Sequence, residues 1–122
     1  MSTWHYRVSP VIWEWFEELC KAKPSSIWHF RRIMRALDVR MVVMSGPEKE
    51  IGPHVRGRVV YIPRIRGKNR LLRLWLIHEL AEIATAYEGI PPMTVPSNSE
   101  WDRHLVARSV EWTYSVGLQT TD

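Results

Sequence analysis

A single cysteine, Cys20, leaves the chain without any possible internal disulfide and without a multi-cysteine zinc site, a usage that suits a reducing cytoplasm. Any metal must therefore be held by histidines and carboxylates. Long apolar runs are also missing. The longest, Leu71 to Ala86, is interrupted by Arg73, His78, Glu79 and Glu82, and Met1 to Ser9 lacks the basic-then-apolar order of an export signal. No membrane segment is expected, and the chain reads as soluble and cytoplasmic. Acidic residues are absent from Ile51 through Ile77, a stretch that carries Arg56, Arg58, Arg64, Arg66, Lys68, Arg70 and Arg73. The net charge of +4 permits contact with nucleic acid or acidic ligands but does not assign a function. There is no repeat, low-complexity segment or interdomain linker, so residues 1–122 are expected to form a single domain. With 45% hydrophobic residues, the chain can bury a core without help from a metal or a disulfide.

What is present is mostly helical periodicity. Ser9-Pro10 reads as a cap followed by a first-turn proline, and Val11, Ile12, Trp15, Phe16, Leu19 and Cys20 recur at helical spacing, which predicts a helix over 10–22. Ile27, Phe30, Ile33, Met34 and Leu37 form a second stripe and predict a helix over 25–37. Val39 to Met44 is β-branched and apolar enough for a strand, closed by Ser45-Gly46-Pro47. Arg56 to Ile62 alternates as a second strand and ends at Pro63. Residues 70–88 are apolar nearly all round, as in a helix packed on several sides, with Asn69 as cap and Gly89 as stop. Ser97-Asn98-Ser99-Glu100 is a capping-box pattern opening a last helix over 98–116, which Gly117 is expected to end. The fold class is therefore α+β, with two N-terminal helices, a small antiparallel sheet within 39–62, and a central helix packed against a C-terminal one.

The unusual feature of the central helix is charge in an apolar run. His78, Glu79 and Glu82 lie within Leu76 to Ala84. A carboxylate facing a core must be paired, hydrogen-bonded or bound to a cation, because desolvating it alone costs about several kcal/mol. His78 and Glu82 stand one turn apart, about 40° from each other around the axis, while Glu79 is turned roughly 100° to the side. The first two are thus spaced to share one ion. A hydrolytic zinc site takes three protein ligands and leaves a position for water. His104 on the following helix is the best third ligand if that helix packs back antiparallel.

At these residues the sequence resembles the ImmA/IrrE family of zinc-dependent peptidases. That family has a strand, a basic turn, a helix bearing H-E-L-x-H, and a further helix whose third ligand, usually Glu, precedes an Ala by three residues. The corresponding segments here are Val59-Val60-Tyr61-Ile62, His78-Glu79-Leu80-Ala81-Glu82 and His104-Leu105-Val106-Ala107, so the resemblance covers residues 56–112. Glu82 stands where the family has its second histidine, and His104 where it has the later glutamate. The exchange keeps two neutral imidazoles and one carboxylate, hence the same net charge on a zinc site. The resemblance implies a zincin-like metallopeptidase domain that hydrolyses peptide bonds of a peptide or protein substrate. It places zinc on His78, Glu82 and His104, with Glu79 as general base and acid. The strand over 56–62 is expected to be an edge strand beside the metal, where an extended peptide could add to it. Arg58 and Tyr61 are then candidates for substrate contact, and both, with Tyr87, for the oxyanion.

Two plainer readings compete. His78 and Glu82 could be a structural i,i+4 pair with His104 unrelated to it. The basic stretch from Arg56 to Arg73 could make the chain a non-catalytic module that binds nucleic acid or a protein partner. His5, His29 and His54 have no partner at ligand spacing. Glu100 reads as a cap, and Glu111 as a solvated charge, with orientation of the His104 ring as the alternative for both.

Overall fold

The computed structural model describes residues 10–21, 27–45, 51–64, 70–89 and 100–121. The expected caps at Ser9, Asn69 and Ser97, and the basic residues Arg66 and Lys68, lie outside them. The architecture is α+β. Among the described residues, four helices, α1 (Pro10–Lys21), α2 (Ile27–Ala36), α3 (Arg70–Tyr87) and α4 (Glu100–Thr121), accompany three strands, β1 (Arg40–Met44), β2 (His54–Arg56) and β3 (Val59–Pro63).

α3 is the central helix, as its all-round apolar character requires. Leu76, Ile77, Leu80, Ala81 and Ala84 are completely buried. Each buried leucine or isoleucine contributes about 1.5–3 kcal/mol of transfer free energy. The same core takes in Phe16 and Leu19 from α1, Phe30 and Ile33 from α2, Val60 and Ile62 from β3, and Ala107 and Tyr114 from α4. The rings of Phe30 and Tyr114 meet edge to face at 5.8 Å. α2 is fastened to α1 by Arg32, whose guanidinium stands 4.5 Å from the ring of Trp15 and 4.8 Å from that of Trp28 while pairing with Glu18.

The end of α2 shows why a strand can follow at once. Asp38 adopts a left-handed φ of 55°; the Val39 amide donates to the Met34 carbonyl (2.7 Å) and the Asp38 amide to that of Arg35 (3.1 Å). This is a Schellman cap, and Val39 and Met34 supply its buried apolar contact.

The sheet differs from the expectation of an antiparallel pair. Its order is β1-β3-β2, with β2 antiparallel to β3 but β1 parallel to it. The stretch read as one strand, 56–62, is broken by Gly57 at φ 60°, which takes the first position of a two-residue hairpin loop with Arg58. The hairpin inserts an extra reversal between β1 and β3, so they run the same way. β3 is consequently the centre of the sheet rather than an edge, and no peptide can pair with it where β1 and β2 already do. Its alternation is resolved too, with Val60 and Ile62 turned into the core.

α4 also departs from expectation: it does not stop at Gly117 but continues to Thr121. A Cβ at Gly117 would lie 2.3 Å from the Cys20 carbonyl oxygen, so this glycine serves the close approach of α4 to the end of α1. Among the described residues, no helix is long and apolar enough to cross a membrane.

Candidate metal centre

The antiparallel packing of α3 and α4 brings the separated charges together. At one end of the pair the Arg70 guanidinium donates to the Ser115 carbonyl at 3.4 Å; nearer the other, Glu82 meets His104. Fully buried alanines, Ala81, Ala84 and Ala107, leave room for the two backbones to approach. The result is a half-buried cluster, open to solvent on one side.

Within it, His78 Nε2 lies 3.3 Å from Glu82 Oε2, and His104 Nδ1 lies 3.6 Å from Glu82 Oε1. The rings of His78 and His104 stand 5.1 Å apart at 67°. One ligand atom from each of His78, Glu82 and His104 falls within 4.8 Å of the others. Bonds of about 2.0–2.1 Å to a tetrahedral zinc place its ligand atoms roughly 3.3 Å apart. The nearest separations match that edge, and small side-chain rotations would close the rest. The donor set suits the ion as well, since two imidazoles and a carboxylate are borderline to hard ligands of the kind zinc accepts. All three sequence-derived ligands are thus placed together.

Glu79 stands beside them on α3. Half-burial holds its carboxyl above the usual carboxylate range, and the negative charge of Glu82 adds to the effect, while His78 and His104 pull the other way. A carboxylate of raised proton affinity at the rim of such a cluster is suited to accept a proton and return it.

From its sequence position Glu111 reads as a solvated charge, with orientation of the His104 ring as the alternative. The structure sets it, partly buried, against the His78 imidazole of the cluster. Its Oε1 accepts from His78 Nδ1 at 2.8 Å. The available signal was its spacing of seven from His104, two turns along the same face of α4. What could not be read was the neighbouring helix, which decides whose imidazole that face meets.

Arg58 and Tyr61 make other contacts. The Arg58 guanidinium donates to the Leu37 carbonyl at 2.5 Å and covers the Tyr87 ring at 4.0 Å. Tyr61 stacks on His54 across the hairpin, ring centroids 4.7 Å apart and ring planes nearly parallel. None of these contacts involves His78, Glu79, Glu82 or His104. The basic stretch is also less continuous than it reads. Arg56 and Arg64 are exposed, but Arg73 is buried, and Arg58 and Arg70 hold backbone carbonyls.

No protein-family model, no curated protein and no solved structure matches the chain.

Proposed function

We propose that the chain is a zinc-dependent peptidase with a zincin-like site, in which His78, Glu82 and His104 hold the ion. The observation that carries this reading is the convergence of those three ligand atoms within 4.8 Å, from two helices, beside Glu79. The resemblance of His78-Glu79-Leu80-Ala81-Glu82 to the ImmA/IrrE motif supports it independently of the distances. Zinc in this position supplies Lewis acidity toward a water and the scissile carbonyl. The protein's own contribution falls to Glu79, which takes the proton from the attacking water and delivers it to the leaving amine. The substrate implied by this reading is a peptide or protein.

Metal analysis of protein kept away from affinity-tag metal is the test. About one equivalent of zinc is expected, retained by Glu79→Gln and lost by Glu82→Ala and His104→Ala. Glu79→Gln should lower peptide hydrolysis by at least about 100-fold without changing metal content. Zinc far below one equivalent, or retained by both ligand variants, overturns the assignment.

The rival reading is a non-catalytic basic module. Its support is the exposure of Arg31, Arg35, Arg40, Arg56 and Arg64. It requires binding of nucleic acid or a protein partner that is indifferent to His104→Ala and, for nucleic acid, weakens steeply with salt.

A further inference from the structure

The contacts around His78 are unequal, and the inequality assigns a role to Glu111. The separations from Glu82 to the two imidazoles, 3.3 and 3.6 Å, are long for charge-assisted hydrogen bonds but suit groups that share an intervening cation. The separation from Glu111 to His78 is 2.8 Å, the length of a bond with a proton in it. These contacts engage different nitrogens of one ring. Nε2 faces Glu82 and Nδ1 faces Glu111.

We infer that Glu111 is the positioning residue of this centre: it holds the proton of His78 on Nδ1, so that the Nε2 lone pair is presented to the metal. This rests on the metal reading above. Glu111 is not itself a fourth ligand, because the two ring nitrogens point away from each other and one ion cannot touch both Nε2 and a carboxylate bound at Nδ1. The carboxylate acts in two ways. It selects one of the two neutral tautomers, and it anchors the ring plane between α3 and α4. The cross-helix bond also ties ligand geometry to the packing of α4, since Glu111 comes from the same helix as His104. Among the described residues the candidate ligands are then three, the number that would leave room for water or substrate as hydrolysis needs.

Glu111→Leu removes the acceptor, and Glu111→Gln retains a carbonyl oxygen without the charge. Zinc affinity of the full chain is measured by competition with a chromophoric chelator, and the cobalt-substituted forms are compared by visible absorption. Wild type is expected to bind one equivalent. Glu111→Leu should bind about 10- to 100-fold more weakly with an altered cobalt spectrum, and Glu111→Gln should recover part of the affinity and the wild-type band positions. A merely structural role would move the thermal midpoint of the metal-free protein but not the cobalt spectrum. Affinity and spectrum unchanged in both variants, with wild type binding zinc, overturn this inference alone. Wild type that binds no zinc overturns the metal reading and this inference with it.

Discussion

Glu79 and Cys20 show how the same physical cause, burial, is put to different ends. Burial raises the proton affinity of both. For Glu79, beside His78, Glu82 and His104, the charge of Glu82 adds to that effect and the two histidines oppose it. For Cys20, in the cleft between α1 and α4 with its thiol against the Val110 carbonyl, it makes an inert side chain. The thiol is pushed up from 9.0 to about 11, chiefly by desolvation, with Glu17 adding and Lys21 opposing. A raised value means that folding favours the neutral thiol. The associated stability is complete below about pH 9 and is lost as pH rises through about 11. At pH 8 the two-unit difference leaves roughly 100-fold less thiolate in the folded chain than in the unfolded one. Alkylation of native protein should therefore be at least that much slower than in denaturant, as followed by mass spectrometry. Equal rates would contradict the buried placement.

Helix ends carry two further consequences. Asp38 occupies the left-handed position of the α2 cap, where glycine has no steric penalty. Asp38→Gly should stabilise the protein by about 0.5–1 kcal/mol, the gain in the folded state being partly offset by the greater freedom of an unfolded glycine. Gly117 presents the opposite case. Alanine is the better helix former by about 1 kcal/mol, but its Cβ would overlap the Cys20 carbonyl, and forcing the helices apart costs about 1–3 kcal/mol. Gly117→Ala is expected to destabilise on balance. Urea titrations of both variants, with unchanged m-values, give the sign in each case. From the sequence, Gly117 reads as a helix stop because glycine usually is one; the proximity of Cys20, 97 positions earlier in the chain, is what reverses its meaning.

Across the whole molecule, a metal bound between α3 and α4 joins the two helices that hold the core together. Binding to the folded state alone adds about 2.7 kcal/mol at a free zinc concentration 100 times the dissociation constant. For a chain of this size that is an upward shift of roughly 10 °C in the thermal midpoint, reversed by chelation. His104→Ala should abolish the shift while leaving the metal-free midpoint within a few degrees, because His104 is only partly buried. A shift that persists in that variant would place the stabilising ion elsewhere.

The sequence by itself determined the helices, the end of α4 excepted, since their apolar periodicity and the Pro10 and Gly89 boundaries are local properties. It also determined the chemistry on α3, because His78, Glu79 and Glu82 lie within five residues and helix geometry alone sets their directions. Even His104 followed from one step beyond that, the assumption that α4 returns along α3. Only the tertiary structure decided the rest. The parallel pairing of β1 with β3 depends on one extra reversal at Gly57, which a strand-length apolar pattern does not encode. The role of Gly117 depends on α1 passing close by. Glu111, like His104, belongs to α4, but its partner is chosen by the rotation of α4 against α3. That rotation is set by how Ala107 and Tyr114 pack into a core assembled from all four helices and the sheet. Spacing along one helix can say that two side chains share a face; what that face meets is a property of the packed molecule.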